Sequence, residues 1–237
     1  MKLLRYATLA FSLVFTSSVA VKAQSVDDII KKYVEAKGGT ENWKKVKSIK
    51  MTGAINAGGQ EMQVTQTVVL GKASRMDMTI AGMANYQIVT TKDGWSYWPI
   101  GGMTKPEPMT EDEVKQSADE LDLDGPLVNY KDKGNTVTLL GKDEIEGTEC
   151  YKIKVVYKSG KEATLCIDAS NYYLIREIAK VKADGKETEQ TINFSNFKKL
   201  PEGILFPMTM GTGQGEIAFK TIDVNPTIDE SIFKPKN

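Results

Sequence analysis

The alternation of apolar and polar residues divides the chain into a short helical part and a long part with the period of β-strands. Between positions 26 and 34 apolar residues recur at helical spacing behind a capping box at Ser25, and Gly38-Gly39 ends the pattern. From Ser48 onward the period changes to two. This alternation predicts an antiparallel sheet with one apolar and one solvated face.

Two further helical signals interrupt the strands. The stretch from 40 to 46 predicts one more short helical turn. A second capping box, at Thr110 and Glu113, predicts a helix that ends near Leu121 and has few apolar positions. This second helix is therefore expected to sit shallowly on the sheet.

A hairpin is predicted around Asp93-Gly94, a dipeptide typical of two-residue turns. The resulting pairing places four large side chains on one face of the hairpin: Tyr86, Ile88, Trp95 and Tyr97. Two interpretations of Trp95, Tyr97 and Trp98 stay open. They form a platform on which a sugar stacks, or they pack in the core, which cross-strand aromatic pairs favour.

The balance of strands and helices predicts the architecture. About ten to eleven strands carry an apolar face, but only two substantial helices can cover it. A flat sheet would expose more apolar area than a monomer usually does, so the sheet must curl. We predict a mainly β fold with a few helices: a curled antiparallel sheet, an unclosed half-barrel, with the helices as a lid over an apolar concavity.

The first 23 residues have the features of a secretory signal peptide. Lys2 and Arg5 precede an apolar stretch, and Val21 and Ala23 suit a signal peptidase. The apolar stretch is too short to span a membrane, and no cysteine near the cleavage point offers a lipid anchor. We expect a periplasmic protein whose mature part, residues 24–237, is a single domain.

The composition removes several classes of function. The chain has no histidine, which excludes Ser-His-Asp triads and HExxH zinc sites. The mature chain has 28 basic and 31 acidic residues, so its charge of −3 gives no electrostatic case for nucleic acid. Acidic clusters at 111–113 and 119–122 are interpreted as solvated helix faces rather than calcium ligands or a hydrolase dyad. We predict no catalytic residue, no metal and no cofactor.

The two cysteines, Cys150 and Cys166, are predicted to lie on the outer face of one hairpin. A turn at residues 158–160 sets Lys152 opposite Cys166 and makes the cysteines diagonal neighbours, near the outer limit for a disulfide. Export to an oxidising compartment favours the bond, which we expect as a structural staple. A redox-active role is disfavoured because no CxxC motif is present.

Several short motifs, taken in order, resemble those of the LolA/LolB-like family of periplasmic lipoprotein-localisation factors. They cover nearly the whole mature chain: Gly38-Gly39 and 41–49, 125–127, 147–157, 159–161, 167–168, 203–207 and 225–234. The resemblance implies an unclosed antiparallel barrel with a helical lid that binds lipid or acyl chains. It also suggests a part in moving lipoproteins to the outer membrane. The carrier branch of the family latches its lid with a strand arginine, but Arg75 alternates with the polar residues of its strand.

Methionine is concentrated on the first strands, with five residues between 51 and 83. Flexible thioethers suit a surface that accepts variable apolar partners, although filling of the core is the simpler interpretation of any one of them. The residues predicted to line the ligand cavity are Met51, Met62, Val64, Met76, Met78, Tyr86, Ile88, Trp95, Tyr97, Tyr151 and Ile153.

These observations favour a binding protein, a monomeric carrier or chaperone for lipoprotein acyl chains or another lipid. It would exchange its cargo with inner- or outer-membrane transfer partners. The alternative is a sensor or protein-interaction module with the same fold. A hydrolase is disfavoured because the chain lacks both histidine and a GxSxG motif.

Overall fold

The structure is a computed structural model that describes residues 24–183, 186–213 and 215–236. The predicted signal peptide, residues 1–23, lies outside the described residues. Within those ranges, no helix combines the length and the apolar content that a membrane crossing requires.

The helices begin where the capping boxes predict them. The Ser25 side chain accepts a hydrogen bond from the Asp28 amide, and the Thr110 side chain accepts one from the Glu113 amide. The second helix continues as a 3₁₀ turn to Leu121. The α-helices are α1 (Val26–Ala36), α2 (Thr40–Trp43) and α3 (Glu111–Ser117).

Most of the remaining described chain forms one antiparallel sheet of 13 strands in the order β6-β5-β4-β3-β2-β1-β13-β12-β11-β10-β9-β8-β7. Each strand follows its neighbour in sequence except at one place, where β1 pairs with β13. The strands are β1 (Ser48–Ala57), β2 (Gln60–Val69), β3 (Ala73–Ile80), β4 (Met83–Thr90), β5 (Gly94–Tyr97), β6 (Glu107–Pro108), β7 (Thr136–Ile145), β8 (Thr148–Val156), β9 (Glu162–Asp168), β10 (Leu174–Ala183), β11 (Lys186–Lys199), β12 (Leu205–Thr212) and β13 (Gly215–Val224).

The predicted curled, unclosed sheet is confirmed, but two details of the prediction were wrong. The sheet has 13 strands rather than ten or eleven, because strands as short as the two-residue β6 cannot show an alternation of period two. The β4–β5 turn lies at Thr91 and Lys92, since Val89 pairs with Gly94 and the Thr90 amide donates to the Asp93 carbonyl. This shift keeps the parity of the register, so the predicted faces of the hairpin are unchanged.

The inner face of the sheet is the face that carries the α-helices, and it holds two core clusters. In the first, Ile29 and Tyr33 of α1 pack against Ile153, Leu165 and Ile167 of β8 and β9. In the second, Trp43 of α2 packs with residues of the central strands and of the segment before β12: Ile49, Met51, Ile204 and Phe219. All of these side chains are at most 7% exposed, so this part of the inner face is closed to ligands.

A third cluster lies on the outer face, where the C-terminal segment covers β3 and β4. Phe233 packs there with Tyr86 and Ile88. Arg75 Nη1 donates to the Ile232 carbonyl at 2.8 Å, and its guanidinium lies 4.2 Å from the centre of the Tyr86 ring. Arg75 is on the face that alternation predicts, but its side chain is only 13% exposed because the C-terminal segment lies over it.

The cysteines occupy the predicted register, with Lys152 opposite Cys166. Both are described as free thiols and both are buried. Burial raises the pKa of Cys150 and raises that of Cys166 to about 12, which disfavours the reactive thiolate. A disulfide between them stays a prediction.

Replacing Arg75 by alanine should lower the free energy of unfolding by about 2–3 kcal/mol, because the change removes a stacking contact and charged hydrogen bonds to Asp77 and the Ile232 carbonyl. Arg75→Lys should recover only part of this loss, since lysine lacks the planar group. Urea unfolding measures both values. A loss below about 0.5 kcal/mol for Arg75→Ala, equal to that of the exposed control Lys72→Ala, would contradict this role.

Candidate functional site

A row of apolar side chains crosses the inner face near the hairpin ends of the central strands. Met62 of β2 pairs with Ile55 of β1, which pairs with Ile217 of β13. Ile217 pairs in turn with Met210 of β12, and Met210 with Phe194 of β11. Residues paired across neighbouring strands share a face, so these five side chains form one continuous stripe.

The stripe is partly exposed, unlike the core beside it. All five of its side chains have intermediate accessibility, as have Met76 and Met78 on the same face of β3. We refer to these seven residues as the inner band. A polarisable, partly exposed surface with four methionines can accept an apolar ligand.

The structure divides the eleven residues predicted to line the cavity between three places. Met62, Met76 and Met78 belong to the inner band. Met51, Val64, Tyr151 and Ile153 share the inner face but are at most 8% exposed in the core. The pairing of β4 with β3 and β5 places the other four on the outer face: Tyr86, Ile88, Trp95 and Tyr97.

The four outer-face residues are placed by the pairing between β3 and β4. Tyr86 lies opposite Asp77 and Ile88 lies opposite Arg75, whereas the inner-face residue Met76 lies opposite Gln87. Alternation within one hairpin therefore identified a common face correctly but not which face of the whole sheet it was. The structure does not bring these four side chains to the inner band. They pack in the core formed with the C-terminal segment.

Helix α3 lies across the mouth of the half-barrel. On one side, Met109 just before α3 approaches the inner face of β4 and β5, where Gln87 Nε2 donates to its sulfur at 3.9 Å. On the other side, Asp112 and Lys115 line an open cavity of about 390 Å³ together with Lys161 and neighbouring residues of β9 to β11. Since β4 and β9 are distant in the strand order, this arrangement shows how far the sheet curls.

The segment after α3 is held by charged groups that the sequence interpretation missed. Lys133 Nζ lies 2.8 Å from both carboxylate oxygens of Asp122 and 2.6 Å from Asp124 Oδ1. It also donates to the Gly125 carbonyl at 2.8 Å. Asp122 is therefore an ion-pair partner rather than part of a solvated helix face. The Asp-x-Asp sequence before Gly-Pro was the available signal, since such a loop needs a cation to be partly buried.

A half-buried lysine connects this segment to α1. Lys37 Nζ donates to the Leu123 carbonyl at 3.4 Å and lies 4.9 Å from the centre of a Trp43 ring. Burial lowers the pKa of Lys37 to about 8, against the opposing effect of the Asp124 and Asp122 carboxylates. Burial, together with the hydrogen bond that the protonated Asp122 donates to the Asp124 carboxylate, raises the pKa of Asp122 to about 7. The base of α3 is thus anchored by a compact group of charges.

The sequence matches no family model and no curated protein. Solved structures do resemble the chain. A LolA superfamily protein from Nitrosomonas europaea superposes with a TM-score of 0.55 at 13% identity, over 88% of this chain and 96% of that one. The chain has a LolA-like fold.

Two other structures support the same fold. A domain from Vibrio parahaemolyticus, provisionally assigned as an outer membrane lipoprotein-sorting protein, gives a TM-score of 0.52 at 13% identity, covering 87% of this chain and 94% of that one. A DUF1329 family protein from Desulfovibrio piger gives 0.50 at 13% identity, over 88% and 97% of the two chains. The resemblance inferred from the motifs is confirmed at the level of the fold.

Replacing Lys37 by methionine should change how stability depends on pH. The folded-state pKa of about 8 lies below the ordinary 10.5, so between these values the unfolded chain binds more protons and the native lysine gains stability as pH rises. The unfolding free energy of the native protein minus that of Lys37→Met should therefore increase by up to about 3 kcal/mol from pH 7.5 to 10.5.

Measuring the difference between two proteins cancels the titration of groups that do not interact with Lys37, such as the cysteines. Urea unfolding at several pH values provides it. Lys31→Met, on the exposed side of the same helix, is the matched control and should give a flat difference. A flat difference for Lys37→Met as well would show that the Lys37 amine is hydrated and not buried.

Proposed function

We propose that this protein is a non-catalytic carrier that binds the acyl chains of lipoproteins or another lipid on the inner band. It is exported by the signal peptide of residues 1–23 and acts in the periplasm as a monomer. It passes its cargo between inner- and outer-membrane partners, in keeping with lipoprotein sorting. The observation that carries the proposal is the partly exposed apolar stripe across five neighbouring strands of the inner face.

The position of the inner band supports a binding role over a packing role. The core of the inner face is already filled by α1 and α2, and its central side chains, such as Ile49 and Ile153, are fully buried. The band borders this filled region: Met210 and Ile217 pack against the edge of the core, but all seven side chains of the band stay partly exposed. Helix α3 spans the mouth of the same concavity. Apolar surface of this kind is stabilised when an apolar ligand removes it from water, by about 25 cal/mol for each Å² covered.

The fold is consistent with this proposal. The domain from Vibrio parahaemolyticus carries an assignment to lipoprotein sorting, and the resemblance in motif order spans nearly the entire mature chain. At 13% identity the likeness concerns the fold, so the inner band of this chain provides the argument for its ligand.

Placing a carboxylate on the band should strongly weaken acyl-chain binding. Met62→Glu and Met210→Glu each put a negative charge beside the part of the bound acyl chain that is out of water. We expect the affinity for cis-parinaric acid to fall about tenfold to a hundredfold. Fluorescence titration measures this. Both sites are partly exposed, so the thermal unfolding of each variant should remain close to that of the native protein.

The matched controls place the same charge elsewhere. Thr65→Glu lies on the outer face of the strand that carries Met62, and Leu140 on the edge strand β7 is 52% exposed. Thr65→Glu and Leu140→Glu should bind the probe as the native protein does. Equal binding by all four variants would exclude the band.

Native mass spectrometry with lipid extraction, on protein purified from the periplasm of its own cells, should find bound lipid. A protein partner retained without lipid would favour a sensor.

A further inference from the structure

The sheet is split at one place, between β12 and β13. These strands pair over only four residues, from Thr209–Ala218 to Thr212–Gly215. On their other sides both continue, β12 beside β11 as far as Leu205 and β13 beside β1 as far as Val224. The two strands therefore diverge beyond Met208 and leave an opening in the middle of the sheet.

The opening contains a cavity of about 620 Å³ with an unusual lining. Its apolar part is formed by Leu200, Met208 and Ile222, which also contact the core around Trp43. The rest of the lining is Pro201, Gly203, Thr221 and three exposed lysines, Lys198, Lys199 and Lys220, and none of the lining residues is acidic. The volume lies within the range of small-molecule sites, between roughly 300 and 1,000 Å³.

The β12 edge of the opening is unsuited to an added strand. The Leu205 amide already donates to the Lys37 carbonyl at 2.9 Å. Two residues on, Pro207 has no N–H at all. Leu205 and Pro207 are the residues whose backbone nitrogens face β13 before the pairing begins at Thr209. Neither of them offers a free N–H to a peptide. The β12 side of the opening therefore favours a ligand that needs no backbone ladder.

Lys220 lies in a β-bulge, where the regular pairing between β1 and β13 is interrupted. Thr52 pairs with Thr221 and Gly53 with Phe219, so Lys220 is the extra residue of a bulge. Its amine lies 3.6 Å from Glu61, and both side chains are more than half exposed. Such an exposed pair is weak and can yield to another anion.

We propose that this opening binds the anionic headgroup, a carboxylate or a phosphate, of an acyl amphiphile. The headgroup lies against Lys198, Lys199 and Lys220, and the chain follows Met208 and Ile222 toward the inner band. Met210 of the band lies only two residues beyond Met208 on the same face of β12, about 7 Å away. This inference rests on the proposed function, since it specifies the charge and the position of the headgroup of the same cargo.

The test compares two ligands with one chain length, palmitate and the neutral hexadecanol, by competition with a fluorescent acyl probe. The triple variant with Lys198, Lys199 and Lys220 changed to Gln should lose roughly tenfold in palmitate affinity and none in hexadecanol affinity. Its palmitate affinity should also depend less on salt. A control triple variant with Lys72, Lys92 and Lys105 changed to Gln should bind both ligands normally, since these lysines are exposed in the connections between β2 and β6 and do not line the opening.

Two further arms identify the source of the anion and the path of the chain. Palmitoyl lysophosphatidate should bind in the same charge-dependent way, whereas millimolar inorganic phosphate should not displace palmitate; displacement by phosphate alone would indicate a free-anion site and overturn the lipid headgroup. Met208→Gln should weaken palmitate and hexadecanol equally, because both chains cross that residue. No effect on either ligand would overturn the path.

The outcomes separate this inference from the proposed function. Suppose that the native protein binds both ligands. If the triple lysine variant then keeps its affinity for both, or loses affinity for both alike, the lysines do not hold a headgroup and only the inference fails. If the native protein binds neither ligand, the carrier function fails and the inference fails with it.

Discussion

The pairing of the first strand with the last is the constraint on which the rest of the structure depends. Strands β1 to β6 and β7 to β13 are each a simple succession of neighbours, and only the β1–β13 ladder joins them into one sheet. The two strands are unusually close at Gly53, where a Cβ atom would lie 2.2 Å from the Ala218 carbonyl oxygen. A residue without a side chain is therefore required at this point of the ladder.

Three of the motifs on which the family resemblance rests meet at this junction. Gly38 at the end of α1 is so close to the segment before β12 that a Cβ atom there would lie 2.4 Å from the Gly203 carbonyl oxygen. The Asn225 side chain accepts a hydrogen bond from the Lys47 amide at 2.7 Å and donates one to the Lys45 carbonyl at 3.0 Å. Residues nearly two hundred positions apart thus fix the start of β1 and the end of β13. The order of the motifs is informative because the motifs are in contact.

Joining the two halves also creates the surfaces that matter for function. The inner band exists because β2, β1, β13, β12 and β11 are neighbours, which brings side chains from both halves of the chain onto one stripe. The opening between β12 and β13 lies beside the same junction, where the bulge at Lys220 and the proline in β12 interrupt regular pairing. A closed sheet would provide the band without a side opening.

Much of the fold followed from local rules, whereas most of the site did not. Capping boxes located α1 and α3, and alternation identified the long strands, because both signals depend on residues close in sequence. The placement of Tyr86 and Trp95 failed since it depends on which face the C-terminal segment covers. Arg75 was assigned correctly to the polar face, but its burial under that segment was not foreseen. The ladder from Met62 to Phe194 requires the β1–β13 pairing, which no local pattern contains.

The central claim, that an acyl chain lies along the inner band, is tested most directly by NMR of the methionine methyl groups. Binding of a fatty acid that carries a nitroxide at the end of its chain should broaden the signals of Met62, Met78 and Met210, which share the inner face, more strongly than that of a methionine introduced by Leu140→Met on the exposed edge strand β7. Stronger broadening of the introduced methionine, or no broadening in the three band residues while the ligand is bound, would contradict the account.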